Sequence, residues 1–531
     1  MPPNRTSSAL QPRLSALDAG YLYNESASNP LHVGAALVFE GHVPFDALLR
    51  SVEQRIHLLP CYRQRLAEVP FNLAHPALED DPKFRLENHL KRFRLSHGID
   101  ERHAIREVFR NYQLLLDRSR PLWELLSFEG WPGGNTLVVS KVHHALVDGL
   151  ASVRLTKRLF DHRPDAQPPE APLRPRSVAL QATAPQRFFG ATREMMLSQM
   201  DAMTDVTIQA LRDPRELADR NRQLIKAVNK MAGPPGRQIV AAPWNAGPAG
   251  EEHDLVWFGT PVSDYRAIRD TFGGTTNDVV LAILTEGAGR YLSYHGYSTT
   301  GWFRIACPVS VRRPDEPTDL GNRVSMMFPT IPAAPMDAVE RLRVVRKETE
   351  RVTPDELQNF DRLGLRWTGS FRSDSYAGFP SGVFTSTLLD RVAQPNLMAL
   401  RACMELLGMD AAAKAKKMTD WRPRPGNLGP PPAISFVATC VPSVQTPIYL
   451  CGHRCLQQIG ILPVGGNLGY GAAVLSYNHV RCVAMAAEPR LMPDLDLMKG
   501  FVQAAFQELK LAADERRSSK LSSSPLKTER V

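Results

Sequence analysis

Two adjacent histidines, an aspartate four residues after the second and a glycine beside it form the pattern His143-His144-x3-Asp148-Gly149, whose residue types and spacing together describe a reaction. An imidazole with a pKa of about 6.5 can take a proton from an alcohol near neutral pH. The β-branched run Thr136 to Val142 predicts a short strand, so the histidines come just past a strand end, where a side chain can project into a cleft. Asp148 can fix the local geometry, and Gly149 allows a sharp turn into a helical segment ending near Phe160. At this chain's own His, Asp and Gly frequencies the pattern arises by chance in roughly one such chain in a thousand, which favours function over accident. The plainer reading, two histidines satisfied by backbone carbonyls, suits an isolated histidine better than the whole constellation.

Metal chemistry is not expected. Adjacent residues on an extended segment point to opposite faces, so His143, His144 and Asp148 do not converge on one ion. Cys451, His453 and Cys455 lack a fourth zinc ligand, because the nearest further cysteine, Cys440, lies inside an apolar run. No cofactor is expected either.

The elements that must hold the histidines alternate in type. Leu31 to Phe39 reads as a buried strand, Phe45 to Ile56 as a helix and Glu79 to Pro82 as an acidic turn. Prolines recur between Asp161 and Pro185, which predicts an extended linker, and Gln186 to Met231 reads as connecting helices ending at Gly233-Pro234-Pro235-Gly236. Val280, Ile283, Leu284, Gly287 and Tyr291 fall on one face of a helix that Thr276 or Asn277 can cap. Strands are expected at Phe303 to Val311, at Ala433 to Thr439, and at Gly471 to Tyr477 paired with Val480 to Ala487 across Asn478 and His479. Met498, Phe501, Val502, Ala505 and Leu509 make a last apolar helical stripe. The expected layout is a first domain over 1–160, a linker with connecting helices over 161–252, a second domain over 253–512 and a disordered tail over 513–531. Each domain is expected to be α/β with a mixed sheet.

Composition removes several function classes. With 531 residues, 43% apolar and 22% charged, the chain is neither a small scaffold nor a disordered one. Its apolar run Val279 to Leu284 stops at Thr285-Glu286-Gly287, far short of a membrane span. Met1 to Ser15 has no apolar core of a secretory signal, so a cytoplasmic location is the default expectation. Seven cysteines without regular spacing fit reduced thiols. The net charge of +9 suits an anionic partner such as a lipid surface or a phosphorylated substrate. Nucleic acid is not expected, since no basic run is interleaved with aromatics and the cluster Arg516 to Lys520 sits in a Ser-rich tail.

Beyond the histidine motif the chain resembles the bacterial wax ester synthase/acyl-CoA:diacylglycerol acyltransferase family of the CoA-dependent acyltransferase superfamily. The likeness rests on Leu14-Ser15-Ala16-Leu17-Asp18 with Pro30-Leu31-His32-Val33-Gly34, and on Pro121-Leu122-Trp123 within Leu116 to Glu124. It continues in Asn277-Asp278-Val279-Val280, and in Pro308-Val309-Ser310-Val311-Arg312 with Gly321-Asn322-Arg323. Each motif is weak alone, and their common order is what carries the resemblance.

The resemblance implies two chloramphenicol acetyltransferase-like domains with the active site in a tunnel between them. It implies transfer of a fatty acyl group from acyl-CoA to diacylglycerol or a long-chain fatty alcohol, on a protein in peripheral contact with a membrane or lipid droplet. His144 would be the general base, and Asp148 would shape the loop through an ion pair with an arginine that the sequence does not identify. Asn277, at a helix start, could donate to the developing oxyanion, a role whose loss costs roughly a hundredfold or more in rate, or cap its helix, and the two roles are not exclusive. Pro121, Leu122 and Trp123 would line the tunnel as apolar wall, and Ser310 is a weaker candidate for substrate contact. Where the family usually reads Asn-Val-Pro-Gly-Pro, this chain has Cys440-Val441-Pro442-Ser443-Val444, a change expected to reshape one tunnel wall. From other classes, a catalytically weak lipid-binding or droplet-coating relative would keep the fold. A glycerol-phosphate acyltransferase would share His143-x4-Asp148 but needs further motifs absent here, and a peptide condensation domain would need neighbouring carrier domains.

Overall fold

The computed structural model describes residues 13–70, 74–167, 236–311, 324–351 and 434–522, save 248 and 467, together with Asn322 and short pieces of the segments between. Two mixed sheets organise them. The first runs in the order β14 (Tyr449–Leu450), β15 (His453–Ile461), β1 (His32–Phe39), β6 (Asn135–His143), β5 (Trp123–Trp131) and β4 (Leu90–Arg94). The second runs β10 (Thr330–Pro332), β8 (Trp302–Ser310), β13 (Phe436–Pro442), β16 (Tyr470–Tyr477), β17 (Val480–Ala487) and β7 (Asp254–Pro261), with β9 (Val324–Met327) also paired to β8. Parallel pairs, β4 with β5 and β13 with both β8 and β16, sit among antiparallel ones, so both sheets are mixed as expected. Two short antiparallel pairs, β2 (Gln64–Ala67) with β3 (Ala77–Asp80) and β11 (Arg366–Trp367) with β12 (Phe384–Thr385), stand apart.

Alternation along β1 sets the layers. Leu37 and Phe39 face a core closed by helices α2 (Phe45–Arg55) and α4 (Gly149–Leu159), while Ala36 and Val38 face the opposite side. On that side they share one core with α3 (Glu101–Tyr112) and with Ala473, Cys482, Ala484 and Ala486 of the second sheet. The other face of the second sheet is covered by α5 (Val262–Phe272), α6 (Thr276–Tyr294), α7 (Ala338–Thr349) and α8 (Leu495–Ser522). The N-terminal helix α1 (Ala16–Asn24) is capped by Ser15.

Four expectations change. Strands β14 and β15 come late in the sequence yet complete the first sheet, so the sheets do not follow the split at residue 253. Glu79 lies on β3 rather than in a turn, because it pairs in register with Arg65 and receives its guanidinium at 3.0 and 3.1 Å. The cap of α6 is Thr275, not Thr276 or Asn277. Helix α8 runs on to Ser522 where a tail was expected, since the stretch after Ala513 is rich in helix-forming Glu, Arg and Lys and Arg516 stacks 5.6 Å over Phe272. By contrast, Asn478 and His479 adopt positive φ values of 46° and 63°, as a two-residue hairpin turn requires. Within the connecting segment 184–190 is helical. Most of the Pro-rich linker and of Gln186–Met231, Gly233 to Pro235, Arg312, Gly321, Arg323 and 523–531 lie outside the described residues.

Candidate active site

His143 ends β6, and the antiparallel register of β6 with β1 sets it opposite His32. Both rings are buried and both place Nε2 3.2 Å from the same oxygen, Oε1 of Glu25, whose side chain is 2% exposed. Burial would raise the Glu25 carboxyl, but the ring donors and charges of His143 and His32 outweigh it and hold the group far below the usual carboxylate range. Burial pushes the His32 imidazole the other way, below its ordinary value, against the pull of Glu25. His143 Nδ1 accepts the main-chain N–H of Ala145 at 3.0 Å. An imidazole nitrogen that accepts carries no proton, so with Nδ1 accepting, the ring's N–H is at Nε2, facing Glu25. The turn is closed by Leu146 N–H donating to His143 O at 3.0 Å.

One residue on, the chain leaves the sheet and His144 turns the other way. Its N–H donates to Leu31 O at 2.9 Å and its carbonyl accepts from Asn322 Nδ2 at 2.7 Å, so the backbone is held from both halves of the molecule. Asn322 is held in turn by Asp18 Oδ1, which accepts from its side chain at 2.6 Å and its main chain at 3.1 Å. The His144 ring stacks on Tyr21 with centroids 4.0 Å apart and planes 3° from parallel. Burial, the largest cause, lowers its pKa to about 4, against smaller opposing pulls from its own main chain, Asp148 and Asn322. At neutral pH the ring is therefore uncharged and has a free lone pair. Nδ1 is buried and has no hydrogen-bond partner among the described residues.

Asp148, 1% exposed, is the N-cap of α4 and accepts from Ala151 N–H at 2.7 Å. Gly149 follows with no left-handed backbone; it is small because a Cβ there would lie 2.7 Å from Val441 Cγ2 on β13. That corrects the expected turn role: the glycine is required by a close approach between the two halves.

His144 and Asp148 line a cavity of about 160 Å³ between the two sheets. Its walls come from Leu17 and Tyr21 of α1, from β1, from Ser152 and Thr156 of α4, from Thr439 and Val441 of β13, from β15 and from β16. Most of this lining is aliphatic, which suits a long acyl chain better than a polar metabolite.

The remaining sequence candidates lie elsewhere. Trp123 is fully buried, stacked between Tyr62 at 4.3 Å and His89 at 4.6 Å, with its indole N–H donating to Tyr62 O. Pro121, Leu122 and Trp123 do not line the cavity; instead Leu122 O accepts the His143 N–H at 3.0 Å and Trp123 pairs with Val142, so this segment supports the strand that ends at the histidines. Asn277 is exposed on the first turn of α6 and does not line the cavity. Ser310 ends β8 outside the cavity lining. Cys451 and Gly452 form the turn between β14 and β15, and His453 Nδ1 meets Glu40 O at 2.8 Å.

Several residues of the site carried no readable signal. Tyr21 and Glu25 have no local spacing that ties them to residues 143 and 144. Asp18, His32 and Asn322 stood inside recognised motifs, but only the sheet register and the α1 packing give them work.

Residues 14–280 match the wax ester synthase/diacylglycerol acyltransferase catalytic domain, and residues 392–510 match the C-terminal domain of the same family. A Mycobacterium tuberculosis protein that carries the name diacylglycerol O-acyltransferase is 27% identical over 527 residues, covering 96% of this chain and 93% of its own. An O-acyltransferase of Acinetobacter baylyi is 24% identical over 365 residues, covering 66% of this chain and 76% of its own. Among solved structures, the wax ester synthase/diacylglycerol acyltransferase of Marinobacter aquaeolei superposes with a TM-score of 0.56 at 20% identity, over 95% of this chain and all of that one. A starter condensation domain of rhizomide synthetase in complex with C8-CoA superposes with a TM-score of 0.53 at 12% identity, over 95% of each chain. At these identities the two solved structures speak for the fold.

Proposed function

From a chain that belongs to the wax ester synthase/diacylglycerol acyltransferase family, and is therefore an acyltransferase, we infer a specific reaction and a specific base. A fatty acyl group passes from acyl-CoA to the hydroxyl of diacylglycerol, giving triacylglycerol, or of a long-chain fatty alcohol, giving a wax ester. The observation that carries this reading is the His144 imidazole, stacked on Tyr21 and lining an aliphatic cavity between the sheets.

The acceptor hydroxyl gives its proton to the His144 imidazole as its oxygen attacks the thioester carbonyl. The tetrahedral intermediate collapses with cleavage of the carbon–sulfur bond, and the leaving thiolate takes the proton back from the imidazolium. No acyl-enzyme forms, and His144 ends as it began. His143, Glu25 and Asp148 act through position: the first two set the turn before the base, and the third starts the helix after it. The experiment is release of free CoA thiol from palmitoyl-CoA with hexadecanol and dioleoylglycerol as acceptors. Activity with either supports the reading, and activity with neither, from folded protein, overturns it.

No helix among the described residues is long and apolar enough to cross a membrane, and both acceptors are nearly insoluble in water. The +9 charge then supports reversible docking on an anionic lipid surface. In vesicle flotation the protein should rise with anionic vesicles at low salt and be partly released at high salt. A protein that stays wholly in the supernatant while esterifying dispersed diacylglycerol at full rate needs no docking.

A further inference from the structure

The cavity holds a second polar place, well away from the base. Gln458 on β15 lines it, is 3% exposed and pairs in register with Leu37 of β1. His143 pairs with His32 of the same strand. Five residues of β1 thus separate the two levels, about 17 Å along the backbone at about 3.3 Å per residue. Ser443, also in the cavity lining, donates its hydroxyl to Gln458 Oε1 at 2.8 Å and is itself fixed by its N–H to Ser476 O at 3.0 Å. That clamp holds one end of the amide. The other end, Nε2, is shut off from water and has no hydrogen-bond partner among the described residues.

A buried amide donor without a partner is destabilising, and an oxygen acceptor brought in by a ligand removes the cost. Hydrocarbon cannot do so. We propose that Gln458, oriented by Ser443, is a specificity-determining residue that donates its amide N–H to a carbonyl oxygen of the substrate, remote from the reacting thioester. The inference rests on the cavity being the site of acyl transfer. Two sources carry such a carbonyl: the pantetheine arm of acyl-CoA, with amides strung out along an extended chain, and diacylglycerol, with esters close to its free hydroxyl. The separation from the base favours the extended arm.

The test uses Gln458→Met, which keeps the length and removes the donor, and Ser443→Ala, which removes the clamp and keeps it. Each is compared with wild type on palmitoyl-CoA and on the ethyl thioester of palmitic acid, truncated so that neither amide of the arm remains, with hexadecanol and with dioleoylglycerol as acceptors. Q458M should raise KM for palmitoyl-CoA about tenfold, the worth of one hydrogen bond, with kcat within about twofold and the truncated thioester unaffected. S443A should move the same KM in the same direction by less. A KM rise confined to dioleoylglycerol instead assigns the carbonyl to the acceptor. Unchanged constants on every substrate, or an equal loss on all of them, overturn the proposal. Should Q458M not fold, S443A decides alone, its unchanged KM values counting against the proposal. A wild type that releases no thiol from either donor sinks the acyl-transfer reading itself, which is a different failure.

Discussion

Helices α4 and α6 begin with the same device and are put to different uses. Asp148 caps α4 by accepting from Ala151 N–H at 2.7 Å. At α6, Thr275 accepts from Asp278 N–H at 3.1 Å while the Asp278 carboxylate reaches back to Thr275 N–H at 2.6 Å. Both carboxylates are buried, 1% and 3% exposed. Around Asp148 there is a cavity with an imidazole on its wall; Asp278 instead meets the Thr349 hydroxyl at 2.7 Å within the second half, and the neighbouring amide, Asn277, faces solvent. A capped helix start supplies order, and chemistry comes only where a strand end delivers a titratable side chain beside it.

The largest effect is expected at the base. His144→Ala should cost at least about a hundredfold in turnover, the low end for a positioned general base, with thermal stability nearly unchanged because the ring lines a cavity. His143→Ala should cost less in rate and more in stability. It removes the N–H facing Glu25 and the acceptor of Ala145 N–H, and groups left unpaired in the core cost roughly 1–3 kcal/mol each. Thiol-release kinetics and calorimetry on the pair check this, and the opposite pattern reverses the two roles.

Removing each cap in turn separates the two helix starts. Asp148→Ala should lower both Tm and turnover, because it removes the acceptor of Ala151 N–H and the loop that carries His144 loosens with the helix start. Thr275→Ala should lower stability by about 1 kcal/mol, the usual worth of a cap, and leave kcat alone. A large rate loss in Asp148→Ala with unchanged melting would make Asp148 part of the chemistry rather than its support.

The acid limb of the rate profile follows from where His144 sits. Burial lowers its pKa to about 4, so the neutral base persists as pH falls through 6.5 and is lost only near 4. The sign for stability is separate: the unfolded state takes up this proton first, so the fold loses stability as pH drops from about 6.5 towards 4. A limb of kcat/KM near 6.5, on protein still folded by calorimetry, would mean the ring is more open to water in the working enzyme.

The histidine loop was legible in sequence because its parts are local: a β-branched run, two histidines and a capping aspartate within a few residues. Its support was not, because Glu25, His32 and His143 meet through the register of two strands more than a hundred residues apart. Trp123 was placed on a tunnel wall because a large aromatic beside a motif fits either a wall or a core, and only its stacking partners Tyr62 and His89 decide. Strands β14 and β15 have no counterpart in the sequence reading at all, and the pairing of β15 with β1 is what puts them in the first sheet. Hydropathy marks a strand but not its neighbour.

The smallest effect is expected where the sequence offered a second catalytic group. Asn277 occupies the first turn of α6, exposed, and outside the cavity lining. The helix start is pinned where it is: Arg481 donates to Thr276 O at 3.1 Å and to Thr276 Oγ1 at 3.2 Å, and its Nε reaches Ser476 Oγ at 3.1 Å. A guanidinium joining α6 to β16 in this way resists the shift that would carry Asn277 to the thioester. Since Thr275 already caps the helix, Asn277 is spared that duty as well. Asn277→Ala should therefore change kcat by less than about twofold and stability by no more than about 0.5 kcal/mol, the range for an exposed substitution. A lost oxyanion donor would cost roughly a hundredfold. Single-turnover rates with saturating palmitoyl-CoA separate the two, and a hundredfold loss would mean that substrate binding remodels the start of α6, making the second half a partner in catalysis.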